Sequence, residues 1–537
     1  MQTSTQLRRG EISASRRCRL GGLAASLAML VLGCSMVGPD YVRPPVQVEQ
    51  TWLDTGDKRV QTASANYRDW WQAFKDPSLN QLIDTAYQEN LTLRIAGVRV
   101  LEARAQLGVA IGSLYPQTQQ GSGLFDRTRL SERSIDAAAT PQFTFNQAQV
   151  GLNASWELDF WGKFRRGIQS ADASLQATIA DYDNVLVSLT AEVANSYITI
   201  RTLEKRLEIA RRNVQIQTES LQIAEARFFG GTTSQRDVEQ AKTILANTQA
   251  TIPTLESQVR QAKNALCVLL GLPPGNLADR LKGKAQIPAP PPQVAVGIPA
   301  DLLRRRPDIR SAELQAMAQC SSIGVAKADL YPAFSLTGTV GFQASDVASF
   351  YLGDVFQWRS RSASFGPSFQ WNLFNYGRIT NQVRVEDARF QEALITYQNS
   401  VLKAQQEVED NLVAFLKAQE RARFLSDSTT SALRSLELAI LQYREGITDF
   451  TTVLTAQQSL LSEQDSLATT LGDISRSLVG VYRALGGGWE IREGQDFVPA
   501  EIRQDMAKRT NWGRLLAPAP AAPPAEGQSR LIRAPEW

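Results

Sequence analysis

From Lys163 to Phe228 no proline interrupts the chain, and its apolar residues recur every seven positions: Leu186, Val193, Ile200, Leu207, Val214, Leu221 and Phe228, with Tyr182, Leu189, Leu203, Ala210 and Ala224 on the adjoining row. That period predicts a coiled-coil seam on one continuous helix. At 1.5 Å per residue the helix reaches roughly 100 Å, more than one compact domain can surround. The pattern returns 215 residues later in the pairs Trp156/Trp371, Leu158/Leu373, Gly162/Gly377, Tyr182/Tyr397, Glu192/Glu407, Gly231/Gly446, Val238/Val453 and Gly271/Gly486. The seam repeats in phase as Leu394, Val401, Val408, Phe415, Ala422, Leu436 and Tyr443. A single inserted residue would rotate an apolar stripe by about 100°, so an ungapped copy reads as a tandem duplication whose phase is fixed by packing.

Elsewhere the period falls to two. Val150, Leu152, Ala154, Trp156, Leu158 and Phe160 share one face of a strand, and Gln149, Gly151, Asn153, Ser155, Glu157 and Asp159 share the other. The counterpart sets Phe365, Pro367, Phe369, Trp371 and Leu373 against Ser364, Gly366, Ser368, Gln370 and Asn372. A third strand carries Phe334, Leu336, Val340 and Phe342 against Ser335, Thr337 and Thr339, and a fourth runs from about Gln117 to Phe125. A soluble half-buried sheet and a membrane-facing one give the same alternation, so connectivity has to decide.

These elements predict two similar repeats. Residues 77–270 hold a helix 77–113, a β-hairpin 117–160, the long helix 163–228 and a return helix 234–270. Residues 301–486 hold a helix from Leu302 or Pro307 to Leu330, a hairpin 333–374, a long helix 378–443 and a return helix 448–485. Within each repeat the helices enter and leave the hairpin on the same side, and the two shorter helices together match the long one. Residues 34–76 form an irregular N-terminal segment, and residues 271–300, with seven prolines, form a linker or equatorial belt. Residues 487–537 form a tail in which Ala517–Ala525 is expected to be disordered.

Composition narrows the possible functions. The formal charge of +3 comes from the leader, where five arginines and one glutamate within residues 1–33 leave about −1 for the rest, and no nucleic-acid partner follows. No histidine occurs, which removes the commonest general base and metal ligand. No nucleophile elbow, P-loop or metal motif is present, no cofactor is implied, and an envelope enzyme is disfavoured. Cys267 and Cys320 lack ligand spacing and read as small buried residues.

Five arginines precede an apolar run from Leu20 to Leu32 that ends in Val31-Leu32-Gly33-Cys34, an export signal over residues 1–33. A cysteine directly after a small residue resembles a lipoprotein signal in which Cys34 is lipidated and heads the mature chain. Ordinary cleavage beside an incidental cysteine is the alternative. Ser35 at the next position implies sorting to the outer membrane. No later run is long enough for a transmembrane helix, so any crossing must be a closed barrel.

Four strands cannot close a barrel, and lipid does not tolerate an open edge. Two copies give eight strands and a filled interior, whereas three give twelve and an aqueous bore. The expected fold is therefore α+β, mostly α: a trimeric, 12-stranded transmembrane β-barrel continuous with a long α-helical barrel, which the family resemblance described next places in the periplasm.

The segments Gly38-Pro39-Asp40-Tyr41-x-Arg43-Pro44, Trp70-Trp71-x-x-Phe74-x-Asp76-Pro77-x-Leu79, Trp156-Glu157-Leu158-Asp159-Phe160-Trp161-Gly162 and Arg305-Arg306-Pro307-Asp308-Ile309-Arg310 resemble the TolC-like outer-membrane factors, in the NodT-type lipoprotein branch. The resemblance runs from Cys34 to about Glu490. It implies a homotrimeric exit duct in outer-membrane lipid, docked to a periplasmic adaptor protein and a resistance-nodulation-division inner-membrane pump, that passively expels drugs or other small toxic compounds. Val150, Leu152, Trp156, Leu158, Phe160, Phe365, Phe369, Trp371 and Leu373 would face lipid. Gly230, Gly231 and Gly446 would sit at the helix turns that dock the adaptor. By position, the resemblance makes Asp237, Tyr443 and Asp449 the periplasmic gate, with Thr452 and Thr455 standing where many members carry aspartate, which implies a thinner acidic ring. The rival reading is a periplasmic coiled-coil adaptor lipoprotein, which leaves the amphipathic strands without a membrane.

Overall fold

The computed structural model describes residues 36–63, 67–131, 133, 143–281, 286–347 and 351–517. Cys34 and residues 518–525 of the tail lie outside the described residues.

The first helical stretch is two helices, α1 (Pro77–Glu89) and α2 (Leu91–Gly112), where the pattern predicts one. Asp76 caps α1 by accepting from the Ser78 and Leu79 amides, and Pro77 occupies the first helical position. The break falls at Asn90, which is extended (φ −63°, ψ 124°). Its carboxamide accepts from Leu93 N at 2.8 Å and donates to Leu269 O at 2.8 Å. Asparagine is a weak helix-interior residue and a strong cap, so one side chain ends the first helix, starts the second and ties both to the end of a distant helix.

The strands are β1 (Val60–Gln61), β2 (Thr118–Arg129), β3 (Thr144–Leu158), β4 (Val294–Ala295), β5 (Ala333–Ser345) and β6 (Arg361–Gln370). The long helices α3 (Lys163–Phe229) and α7 (Arg378–Arg444) each have 67 residues. Their return helices α4 (Gln235–Leu269) and α8 (Phe450–Ala484) each have 35. Each long helix starts after a left-handed glycine, Gly162 (φ 78°) and Gly377 (φ 81°). At Gly162 a Cβ would lie 2.5 Å from the Met36 side chain, so backbone conformation and packing both select glycine.

The second lead-in helix is also split, into α5 (Leu302–Arg305) and α6 (Pro307–Ala328), and ends short of Leu330. Arg306 is extended ahead of Pro307, as a residue before proline must be. Its buried guanidinium donates to Ala484 O at 2.8 Å and to Glu407 Oε2 at 2.8 Å, so the Arg-Arg-Pro-Asp motif joins three helices.

Strands β2-β3-β5-β6 form one antiparallel sheet. Outside it, β1 pairs in parallel with β4, which the sequence pattern does not predict, and this stitches the N-terminal segment to the proline-rich linker. That segment clamps the two halves together. Val37 N donates to Trp161 O at 3.0 Å, Trp52 Nε1 to Gly297 O at 3.1 Å and Leu53 N to Glu409 Oε1 at 2.9 Å. Trp70, Trp71 and Phe74 are buried, with Trp70 stacked on Tyr482 at 5.3 Å. Cys267 and Cys320 are buried and free.

The tail carries a helix that the sequence pattern does not predict, α9 (Ala500–Arg509). Met506 and Val498 bury Leu101 of α2 in a small satellite core. Arg492 fixes the tail to α3 by donating from both Nε and Nη2 to the fully buried Asp183 carboxylate, the second bond at 2.9 Å. Burial, the largest influence, lifts the Asp183 carboxyl above its ordinary range, with Arg492 pulling the other way. A carboxyl raised by folding contributes stability that is fully present below its unfolded pKa and is lost as pH rises through the raised value. Removing the guanidinium leaves a lone buried charge at neutral pH, so Arg492→Ala is expected to cost about 3–5 kcal/mol there. As pH falls through the raised value and the carboxyl becomes neutral, the cost shrinks. Thermal unfolding of both proteins at acid and neutral pH measures the difference; a pH-independent gap would be the contrary result.

Candidate functional site: the two-faced sheet and the paired helix turns

Register assigns every strand residue to a face. Val150 pairs with Phe342, Leu152 with Val340 and Trp156 with Leu336, while Gln149 pairs with Gln343, Asn153 with Thr339 and Ser155 with Thr337. Across the next ladder, Phe365 lies opposite Gly338 and Phe369 opposite Phe334. In the single chain both faces of the sheet stand open: on the apolar one Leu152 is 64%, Phe369 71% and Phe365 81% accessible, and on the polar one Thr337, Thr339, Ser364 and Ser368 are exposed as well. A sheet folded for water would bury its apolar side, so this side is built to meet an apolar medium.

Three residues expected on the strands lie beyond them, because β3 ends at Leu158 and β6 at Gln370. Phe160 packs against Trp161 and Phe334 instead, and Trp371 and Leu373 extend the exposed apolar surface toward the helices. The two matching tryptophans have a polar role as well. Trp156 Nε1 donates to Leu114 O at 3.1 Å and Trp371 Nε1 to Leu330 O at 3.0 Å, each satisfying a carbonyl just past a lead-in helix. Exposed Phe374 and Tyr376 flank the sheet at this end, and exposed Tyr351, Phe356 and Trp358 flank the other. Aromatic girdles of this kind mark the two boundaries of a bilayer. The far girdle escaped sequence reasoning because its residues alternate with no period.

Across the face shared with Asn153 and Ser155 stand mostly hydroxyls, carboxamides and glycines, with Leu124, Phe145 and Ala333 as apolar exceptions and Asp126 near one end. At the helix end, Lys163 Nζ lies 2.9 Å from Asp329 Oδ1 and 3.9 Å from Glu157 Oε1. Asp159 lies past the strand and accepts from the Phe164 and Arg165 amides at 3.0 Å, which occupies it with starting α3. Among the described residues, no group of His, Cys, Asp and Glu could hold a metal ion, and no helix is long and apolar enough to cross a membrane. β2 and β6 each keep one edge that no described residue covers.

At the opposite pole α3 turns at Gly230-Gly231 and α7 at Gly446, with Gly231 (φ 70°) and Gly446 (φ 77°) left-handed. Two of the expected gate residues come together there. Tyr443 is buried with its ring 5.3 Å from Phe450 in an edge contact and 4.6 Å from the Arg227 guanidinium. Burial raises the Tyr443 phenol above its ordinary pKa, and the nearby Asp237 charge adds to the shift. Asp237 is buried as well, accepting from the Thr233 and Ser234 hydroxyls at the head of α4. The other three stand apart. Asp449 is the exposed N-cap of α8, accepting from Thr452 N at 3.3 Å, and Thr455 donates back to Thr451 O at 2.9 Å. Arg227 and Phe450 were not legible as site residues, nor were Phe229 and Ile447, which are 86% and 75% exposed at the two turns.

The family model described as outer membrane efflux protein matches residues 82–272 and again 298–487. The toluene efflux pump outer membrane protein TtgI of Pseudomonas putida is 33% identical over 480 residues, covering 87% of this chain and 98% of its own. Nodulation protein T of Rhizobium leguminosarum bv. viciae is 30% identical over 467 residues, covering 87% of this chain and 93% of its own. Among solved structures, the outer-membrane channel OprN superposes with a TM-score of 0.78 at 33% identity, covering 84% of this chain and 99% of that one.

Proposed function

We infer the working assembly from one premise: the chain belongs to the outer membrane efflux protein family and serves as an efflux channel of the outer membrane. Three copies join edge to edge, β6 of one against β2 of the next, and close a barrel of twelve strands, four from each. The observation that carries this reading is one sheet with an exposed apolar face, a polar opposite face and an uncovered edge on either side. The polar face then lines an aqueous bore, and the bundled helices continue it through the periplasm. A coiled-coil adaptor would have no use for such a sheet.

Cys34 carries the lipid anchor. Met36 packs on Gly162 and Val37 bonds Trp161, so the chain arrives at the helix end of the sheet two residues after that cysteine. At the other pole the turns at Gly230, Gly231 and Gly446, with exposed Phe229 and Ile447, dock a periplasmic adaptor, and a resistance-nodulation-division pump supplies the energy. TtgI is named for toluene, and the cargo here is likewise small toxic compounds, drugs included. Asp237 and Tyr443 hold the tip shut, while Asp449, Thr452 and Thr455 line its mouth. The duct makes and breaks no bonds.

Placing the two faces this way has a direct consequence. Leu152→Arg puts a charge in lipid and is expected to cost about 2–4 kcal/mol of insertion, whereas Asn153→Arg faces water and leaves folding near wild type. Folding into lipid vesicles, followed as heat-resistant trimers on unboiled gels, separates the two; equal loss in both would count against the assignment. Asp237→Ala and Tyr443→Ala are each expected to raise conductance in planar bilayers, and unchanged conductance in both would remove the gate assignment. Deleting the gene is expected to sensitise cells to the pump's substrates as strongly as deleting the pump, with no further loss in the double deletion. An additive double phenotype would contradict a shared pathway.

A further inference from the structure

Resting on the trimer reading above, we propose that Ala534-Pro535-Glu536-Trp537 of each copy seats in a groove between its own α2 and α7 of the neighbouring copy, bracing the corner where two subunits meet. The duplication makes the corners comparable. Gly108-Val109-Ala110 ahead of Leu114-Tyr115-Pro116 repeats Gly324-Val325-Ala326 ahead of Leu330-Tyr331-Pro332, and Gly377 repeats Gly162. The corner between α3 and α6 lies within one chain, whereas its counterpart between α7 and α2 forms only when β6 of one copy joins β2 of another.

Within the chain the corner is full. Met36 covers Gly162, and a Cβ at Gly324 would stand 2.7 Å from Val37 O. The Trp161 ring stacks on Tyr331 at 4.6 Å, and Arg166, donating to Gln169 Oε1 at 3.0 Å, also reaches the Asp40 carboxylate at 2.7 Å. Between copies the matching positions are bare. Nothing stands within 4 Å of a Cβ added at Gly108, and at Gly377 only Asn381 of its own helix does. Tyr376, the counterpart of Trp161, is wholly exposed, and beside it a cavity of about 630 Å³ opens along Trp371, Phe374 and Arg378. The basic group survives with its pair exchanged: Asn381 and Arg384 take the places of Arg166 and Gln169 and are joined at 3.1 Å. Arg384 is exposed and, among the described residues, in no ion pair.

The tail is the segment placed to fill this groove. It already does for α2 and α3 what the N-terminal segment does for α6 and α7: Phe497 lies against Gly97, and Arg43 binds the matching residue, Glu313. Leu516 packs beside Leu101, and Gly108 lies two turns of α2 nearer the sheet, about 10 Å away. From Ala517 to Ala534 an extended chain spans roughly 50 Å, so reach does not limit the placement. The four residues repeat the order of small residue, proline, acid and aromatic ring found in Gly38-Pro39-Asp40-Tyr41. Glu536 supplies the acid that Arg384 lacks, and Trp537 supplies a ring for Tyr376. Ala534 does not take the φ of 99° held by Gly38, so the two segments share their chemistry and not one backbone path.

Full-length protein carrying both Thr380→Cys and Arg533→Cys, treated with a short bismaleimide, is expected to give covalent dimers and trimers on denaturing gels. Each single variant stays monomeric there. Arg384→Glu in the double variant is expected to lower the cross-linked fraction several-fold, and Glu536→Arg added to it restores the yield. Truncation after Ala517 is expected to lower the temperature at which trimers dissociate on unboiled gels. Cross-links confined to one chain, no cross-link in material that runs as heat-resistant trimers, a yield indifferent to Arg384→Glu, or an unchanged dissociation temperature overturns the assignment. Should the wild-type protein form no heat-resistant trimer, the barrel reading itself fails, and not only the placement of the tail.

Discussion

A sheet with its greasy face outward and two unpaired edges is unstable as a single copy in any solvent. Water rejects the face that carries Leu152, Phe365 and Phe369, and lipid rejects the free backbone donors and acceptors of β2 and β6. Closure with further copies removes both penalties together, and much else in the chain follows from it. Glycines such as Gly151 and Gly341 sit opposite each other where β3 and β5 come close; a Cβ at Gly341 would stand 2.4 Å from Val150 O. The polar face is built largely from hydroxyl and amide side chains, which would keep the bore of the proposed barrel wet.

Joining such a sheet to rods of α-helix demands a rigid corner, and the chain builds the same corner twice. A helix ends, an indole N–H from a strand end covers a carbonyl at Leu114 or Leu330, the strand closes, and a left-handed glycine launches the next helix. The N-terminal segment then braces the first corner from outside. Gly38 crosses α6 at Gly324 so tightly that a Cβ on Gly38 would lie 2.5 Å from the Gly324 Cα. Arg166 donates to Val37 O, Gly38 O and Asp40 on the same segment. That bracing explains why the motif around Gly38 accompanies the one around Trp161.

Much of this was legible beforehand because periodicity reports continuous, one-sided burial. The seven-residue seam located α3 and α7, and the two-residue alternation located β3, β5 and β6, since each element buries or exposes a single face along its whole length. What stayed hidden depends on partners far away in the chain. Asn90 ends a helix through a bond to Leu269, β1 exists only because β4 lies beside it, and α9 is held by contacts to Leu101 and by Arg492 on Asp183. Arg227 gave no signal because the ring it meets, Tyr443, lies on the other long helix. The expected acidic ring divided for a similar reason: Asp449 is used in capping α8 and Asp237 in ordering the head of α4, and local hydrogen bonds claimed both.

The distribution of apolar burial finally assigns different mechanical roles to the two ends. One large core runs from Trp52 through Leu186, Tyr197, Tyr397 and Phe415 to Leu485, and a much smaller one, around Val238, Tyr443 and Phe450, stands alone at the turns. Between α3 and α8 the two are separated by the polar row of Arg206, Asn213 and Ser220, whose hydrogen bonds exchange with water at little net cost when parted. A region with few apolar contacts and solvent-replaceable links is the low-stability end of a fold, and it can open while the rest holds. The equator and the corners resist movement because separating them would expose packed tryptophans and the buried Arg306 and Asp183 links. On the gate reading proposed above, opening would be confined to the tip, where separating the helices breaks the least.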